Sequence, residues 1–103
     1  MAKYLFTYHG GRMPETEEEG AAVMARWGEW MGGLGAALVD QGAPVGPAAT
    51  IASDGTTTHG GEVTVTGYSI VEADSHEDAL GLATDCPIRE DGGAVQVAEI
   101  HPM

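Results

Sequence analysis

The side chains best suited to acid–base chemistry are one histidine and two carboxylates. His9 ends an aromatic and β-branched stretch, and the two glycines after it would let a ligand approach the backbone. Because imidazole exchanges protons near neutral pH, His9 is a candidate general acid or base. Asp54 and Glu99 are the candidate second polar groups. Each has a structural alternative: a simple hydrogen bond for His9, an Asp-Gly turn for Asp54, and a solvated edge charge for Glu99.

Aromatic residues and a second histidine are candidate ligand-binding groups. Trp27 and Trp30 lie within about 60° of each other on a helical wheel, so both could stack on a planar ligand. Tyr8 and Tyr68 each carry a hydroxyl that could reach a ligand, but for all four aromatics core or interface packing is the alternative. His59 shares a polar loop with an aspartate that could orient it or bind a metal with it, although the spacing is not a recognised metal pattern.

The charge balance excludes several partners. Sixteen acidic residues against four basic ones give the 103-residue chain a formal net charge of −12. Attraction to phosphate backbones or to anionic lipid is therefore not expected, and we predict neither a nucleic-acid nor a membrane partner. The length fits a single domain, residues 1–103, small enough that oligomerisation would bury useful surface.

Motifs for cofactors and for export are also missing from the sequence. The single cysteine, Cys86, excludes an intrachain disulfide and a cysteine-based zinc cluster, and it is best read as a small buried hydrophobe. No Gly-rich phosphate loop, zinc-protease motif or nucleophile elbow is present, so we predict no ATP, NAD or metal cofactor. The chain has no apolar run long enough to span a bilayer and opens into a strand instead of a signal sequence, which favours the cytoplasm.

Four strands and two helices are predicted to position these residues. The strands cover residues 3–9, 44–52, 62–73 and 94–100, with a bulge at Gly67 in the third. A capping box at Thr16 starts the first helix near Glu17, and Gln41-Gly42 ends it. Asp74-Ser75 caps the second helix, which Pro87 terminates.

The first helix is expected to bury one apolar stripe. That stripe runs through Met24, Trp27 and Leu34 to Leu38, at spacings of three and four residues. Several glycines lie within the same helix, each costing about 1 kcal/mol relative to alanine. They predict a close approach of the sheet, a partner subunit or a ligand.

The order β-α-β-β-α-β is that of an α+β, ferredoxin-like fold. Right-handed crossovers would place both helices on one face of an antiparallel sheet. The other face, with Leu5, Thr7 and Val71 or their alternates, is too apolar to be left to water. Covering it with the same face of a second copy predicts a two-fold homodimer.

Six segments of the sequence together resemble the YCII-related family across nearly the whole chain. They are Tyr4 to Gly11, Asp54-Gly55, Gly67 to Ala73, Asp78-Ala79-Leu80, Cys86-Pro87 and Val95 to Ile100. The resemblance implies a dimeric α+β barrel, two ferredoxin-like sheets facing each other across a cleft. Some relatives are thought to act on small, often aromatic or chlorinated, molecules.

Two features of the family are not found in this sequence. The histidine that YciI-type members carry on the first helix has no equivalent between Glu17 and Gln41, and Asp54-Gly55 is followed by Thr56-Thr57 where the DGPF subgroup has Pro-Phe. The family's His–Asp pair is therefore not carried over to this chain.

The sequence thus predicts a homodimer that binds a small, neutral or weakly polar organic molecule. His9 would shuttle a proton in an isomerisation, elimination or lyase-type reaction, with Asp54 or Glu99 as the second polar group. Two alternatives stay open: a non-catalytic ligand-binding or accessory module, and a structural dimer whose cleft is filled by side chains.

Overall fold

The computed structural model of the protein describes residues 2–60 and 64–102. Within these ranges the chain forms six strands and two helices, with 3₁₀ turns at Gly35–Ala37 and Pro87–Arg89. In chain order the elements are β1 (Ala2–His9), α1 (Glu17–Leu34), β2 (Leu38–Pro44), β3 (Ala49–Ile51), β4 (Thr57–His59), β5 (Val65–Ala73), α2 (His76–Ala83) and β6 (Ala94–Glu99). The predicted start of the third strand, Glu62 and Val63, lies outside the described residues.

Four of the strands form one antiparallel sheet in the order β2-β5-β1-β6, and β3 pairs with β4 in a separate hairpin. β1 is central, so Thr7 lies opposite Tyr68 on one side and Gln96 on the other. The β1–β5 register shifts between Tyr8 and His9, which confirms the predicted bulge beside Gly67. The protein is therefore a mixed α+β structure with two helices and an antiparallel sheet.

Both helices begin where the capping residues predict. The Thr16 hydroxyl accepts a hydrogen bond from the Glu19 backbone N–H at 3.0 Å. Ser75 Oγ accepts one from the Asp78 N–H at 3.1 Å. Each bond satisfies a backbone donor that the first turn would otherwise leave free.

The predicted end of the first helix is wrong. α1 ends at Leu34, because Gly35 adopts a positive φ of 55° that does not continue a right-handed helix. Leu38, predicted as the last residue of the helical stripe, is instead the first residue of β2. The predicted strand over residues 44–52 is likewise divided, since β2 ends at Pro44 and β3 begins at Ala49.

The core lies between the sheet and the two helices. Its buried side chains are Tyr4, Phe6, Tyr8, Leu34, Val71, Ala73, Ala79, Ala83, Cys86 and Ile88. Val71, expected among the residues on the far face of the sheet, is fully buried beneath the helices, and Ile70 faces the other way. Met24, expected in the core, is 72% exposed, because the buried face of α1 is narrower than its run of apolar residues.

The helix glycines do not mark a tight contact with the sheet. A Cβ built on Gly28, Gly32 or Gly33 would meet nothing within 4 Å, so a close approach of the sheet is wrong at these positions, and a close approach of a partner subunit or a ligand stays a prediction. The close approach occurs in β2 instead. Gly42 has a φ of 73°, and a Cβ there would lie 1.7 Å from the Tyr68 carbonyl oxygen.

The one cysteine is part of the core, as predicted. Cys86 is 1% exposed, and burial raises the pKa of its thiol to about 11. A thiol held protonated is a poor nucleophile, so Cys86 acts as a small apolar group. Neither described helix is both long and apolar enough to cross a membrane.

Candidate functional site

The side of the sheet away from the helices is called the open face here. Strand alternation places Leu5, Thr7 and His9 on it, since Tyr4, Phe6 and Tyr8 point into the core. The register then defines rows of side chains across the strands. The rows are Lys3 with Glu72, Ala98 with Leu5, Ile70 and Asp40, Gln96 with Thr7, Tyr68 and Ala43, and Ala94 with His9 and Val65.

A short chain of hydrogen bonds holds the imidazole of His9. Its Nε2 lies 2.9 Å from Thr7 Oγ1, and Thr7 Oγ1 donates to Gln96 Oε1 at 3.4 Å. A hydroxyl has one proton, so a Thr7 that donates to Gln96 accepts from the Nε2–H of His9. In neutral His9 this leaves Nδ1 as the nitrogen with the free lone pair.

His9 Nδ1 is a buried polar atom, and it has no hydrogen-bond partner among residues 2–60 and 64–102. Leaving a buried acceptor without a donor costs about 1–3 kcal/mol of folding free energy. A ligand that donates a hydrogen bond, or gives up a proton, to this nitrogen would recover that cost, but it must first displace the side chains that cover the atom. The half-buried ring of His9 therefore has the features of a base held in one orientation.

Tyr68 is the predicted ligand-binding residue that shares the open face with His9. It lies opposite Thr7 on β5 and is half-buried. Beside it, Leu5 and Ile70 face each other in the neighbouring row. The face thus combines an apolar patch with a phenol and an imidazole.

The other predicted aromatic residues lie on the helix side of the sheet. The ring of Tyr8 packs edge-on against Trp27 at 4.8 Å between centroids, and Trp27 packs edge-on against Trp30 at 5.7 Å. Trp30 Nε1 donates to the carbonyl of Leu82 at 3.1 Å. The structure therefore gathers these three residues with one another but not with His9.

Tyr8 also makes a hydrogen-bonded pair inside the core. Its hydroxyl donates to Ser69 Oγ at 2.8 Å, and Ser69 Oγ in turn donates to the Gln41 carbonyl at 2.8 Å. Burial raises the pKa of Tyr8 to about 12, against a smaller opposing effect of the Ser69 hydrogen bond. A phenol so placed stays neutral and serves packing.

The predicted carboxylates are not brought to His9. Asp54 lies in the turn between β3 and β4, where its Oδ1 accepts a hydrogen bond from the Thr56 N–H at 2.9 Å. That bond lowers the pKa of the Asp54 carboxyl, and it is ordinary turn chemistry. His59 is exposed on β4 of the same hairpin. Glu99 pairs with Tyr4 and is exposed at the end of β6, in the phase that faces the helices.

Thr7 and Gln96 are the residues of this arrangement that the sequence prediction missed. The spacing of Thr7, two residues before His9 on one strand, was a usable signal because it puts both on the same face. Gln96 could not be found that way, since only the β1–β6 register places it beside Thr7.

A groove lies on the helix side of the sheet. It has a volume of about 420 Å³ and lies between α1, α2 and the Pro87–Arg89 turn, with Trp30, Leu82 and Asp85 in its lining. Arg26 at its rim donates to the carboxylates of Glu90 and Asp91. Within the described ranges, no three His, Cys, Asp or Glu side chains are grouped so as to hold a metal ion.

Compared with known proteins, the chain matches no family model, and no curated protein matches it either. The open face and the imidazole of His9 on it are therefore the features from which a function can be proposed.

Proposed function

We propose that the protein is a homodimer of ferredoxin-like subunits that binds a small organic molecule between two open faces. The spatial order β2-β5-β1-β6 supports the ferredoxin-like assignment. The helix α1 connects the central strand β1 to the edge strand β2, and α2 connects the central strand β5 to the edge strand β6. The β3–β4 hairpin is then an insertion between the second and third strands of the fold.

The charge of the open face supports a second copy as its cover. On β1, β5 and β6 this face carries Lys3 and Glu72, which lie directly opposite each other and cancel, and on the edge strand β2 it carries the exposed Asp40, paired with Ile70. The whole chain carries −12, so two copies repel through most of their surface. With one uncompensated carboxylate against −12 for the whole chain, the open face carries little charge, and burial of Leu5 and Ile70 there would be favourable.

The observation that carries the catalytic proposal is the fixed imidazole of His9. With Nε2–H donating to Thr7, Nδ1 is the nitrogen left to accept a proton, and because it is buried in the single subunit the ring must turn or its neighbours must move before a substrate carbon or hydroxyl group reaches it. The resulting imidazolium keeps both ring N–H groups as donors. Returning the proton to a different atom completes an isomerisation, and loss of a leaving group completes an elimination. Tyr68 offers its hydroxyl to the substrate from the same face, in the row next to His9.

The placement of the two predicted carboxylates favours a second candidate function, a binding module without catalysis. Within one subunit, Asp54 lies on the hairpin and Glu99 on the helix side of β6, so neither supplies a second acid–base group beside the His9 of its own subunit. In that case His9 and Tyr68 would recognise a ligand by hydrogen bonding alone. The small aromatic or chlorinated molecules implied by the YCII resemblance are the ligand class we propose for either function.

A thermal-shift screen with small aromatic, lactone and hydroxy-acid compounds tests this proposal. The variants are His9→Gln and, as a matched control, His101→Gln, whose histidine is exposed near the end of the chain. A ligand at a hundred times its dissociation constant stabilises the wild type by about 2.7 kcal/mol. We expect His9→Gln to lose that stabilisation and His101→Gln to keep it.

The controls separate the candidate functions. Turnover of a bound compound by the wild type, absent in a dimeric His9→Gln, supports catalysis. Binding without turnover in either protein supports the binding module. Equal stabilisation of all three proteins, or no hit for any, contradicts a site at His9 and favours a cleft filled by side chains.

A further inference from the structure

The hairpin formed by β3, β4 and their turn, residues 49–59, projects from the rest of the subunit and is called the arm. Every residue of the arm is exposed. Its hydrogen bonds are internal: the β3–β4 ladder pairs Ala49 with His59 and Ile51 with Thr57, and the Ala52 N–H closes the turn by donating to the Thr56 carbonyl. The core contains no residue of this segment.

Such an arm is poorly supported as it stands. A two-stranded hairpin alone is marginally stable in water. This one also presents Ile51, which is 74% exposed. The described chain has a radius of gyration of 14.8 Å, against about 13 Å for a compact domain of similar length. An extended hairpin with an exposed isoleucine is typical of a segment that packs on another molecule.

The base of the arm adjoins the open face. The chain leaves the sheet after Pro44 and returns at Val65, and the Val45 N–H donates to the Thr66 carbonyl at 3.0 Å. The Gly10 N–H, directly after His9, donates to the Thr64 carbonyl at 3.4 Å. The arm therefore emerges at the end of the sheet that holds His9, next to the face that we propose as the dimer interface.

The charge of the arm favours a second copy of this chain as its partner. Residues 49–59 include one carboxylate, Asp54, and no lysine or arginine. A basic partner would find little to bind here. The acidic helices of two copies repel each other, whereas the arm and the open face both carry little charge. A second copy can therefore approach the arm, as it can the open face, against little repulsion.

We propose that the arm of each subunit extends across the two-fold axis and packs on the second copy, burying Ile51 and forming one wall of the cleft beside His9. This inference rests on the proposed homodimer. It adds that residues outside the sheet contribute to the interface and that the cleft is incomplete in one subunit alone.

Sedimentation velocity on two matched variants tests the arm. Ile51→Asp places a charge on the arm, and Met24→Asp places the same charge on the exposed outer side of α1, at a residue of nearly equal exposure, 72% against 74%. We expect Ile51→Asp to raise the dimer dissociation constant at least tenfold and Met24→Asp to change it by less than twofold. Equal dissociation constants for the two variants would overturn the arm contact.

A third variant, Ile70→Asp, separates failure of the arm from failure of the sheet-face dimer. Dissociation by Ile70→Asp with no effect of Ile51→Asp would reject the arm alone. Dissociation by Ile51→Asp but not by Ile70→Asp would move the interface to the arm and reject the sheet-face dimer. A wild type that is monomeric at every concentration would reject both.

Hydrogen exchange provides a measurement on the unmodified arm. In the wild-type dimer we expect the amides of the β3–β4 ladder to exchange at least tenfold more slowly than in the Ile70→Asp monomer, because packing suppresses local opening. Equal exchange rates in a dimeric wild type and a monomeric variant would contradict packing of the arm on the second copy.

Discussion

The two faces of β1 are built from neighbouring residues but have different physical roles. Phe6 is fully buried between the sheet and both helices, whereas Leu5 is half-buried on the open face. The helix side is a completed hydrophobic core, where even Tyr8 finds its partner in Ser69. The open face holds Leu5 beside Ile70, the Lys3–Glu72 pair, Asp40 at its edge, and an imidazole nitrogen that finds no donor in the described part of the chain. The contrast fits the proposal that the helix side stabilises the subunit and that the open face is the binding side.

The largest expected effect is the loss of unfolding free energy when a side chain on the helix side is truncated, compared with the same truncation on the open face. Phe6→Ala removes a fully buried ring and should lower the free energy of unfolding by about 3–5 kcal/mol. Leu5→Ala should change the unfolding of the monomer by much less and instead weaken the dimer. Urea denaturation in the Ile70→Asp monomer background measures the first quantity, and sedimentation measures the second. Equal losses of monomer stability would remove the distinction between the faces.

Alkaline pH provides a second test of the buried face. Burial raises the pKa of the Cys86 thiol from 9.0 to about 11 and that of Tyr8 from 10.0 to about 12. Folding thus favours the protonated forms, so their contribution is complete below about pH 9 and is lost as pH rises through 11 and 12. We expect the unfolding free energy to fall over this range.

The matched control for the pH series is the double variant Cys86→Ala with Tyr8→Phe. It should lose less stability between pH 9 and pH 12 than the wild type does. An unchanged slope would mean that other groups cause the alkaline loss.

The smallest expected effect concerns the open face. Thr7→Val removes the acceptor of the His9 Nε2–H and should cost about 1 kcal/mol of stability. Its clearer signature is in nitrogen-15 NMR. In its neutral form, the imidazole of His9 in the wild type should be protonated at Nε2, Thr7→Val should show a mixture of tautomers, and Thr7→Ser should restore the wild-type signal. A mixture already present in the wild type would contradict the assigned orientation.

Patterns within a few residues of sequence predicted the two faces of β1 and the starts of both helices, because these features depend on residues close together in the chain. Alternation along β1 separated Tyr4, Phe6 and Tyr8 from the residues of the open face. The hydroxyls of Thr16 and Ser75 identified both helix starts because capping involves residues only three positions apart.

Longer-range features could not be predicted in the same way. Leu38 continues the helical spacing of α1 and also fits the first position of a strand, so periodicity did not reveal the early end at Gly35. The candidate site depended on register and on tertiary placement. Gln96 lies beside Thr7 because of the β1–β6 register. Asp54 lies in the turn of the separate β3–β4 hairpin and not on the sheet that carries His9.

The most direct test of the account is the mass of the wild-type protein in solution, measured by sedimentation equilibrium over a wide concentration range beside Ile70→Asp. We predict a wild type of twice the 10.6 kDa subunit mass and a folded variant near 10.6 kDa, because the open faces are each other's cover. A wild type of subunit mass throughout, or a variant that dimerises as tightly as the wild type, would contradict the pairing of the faces and with it the enclosed site at His9.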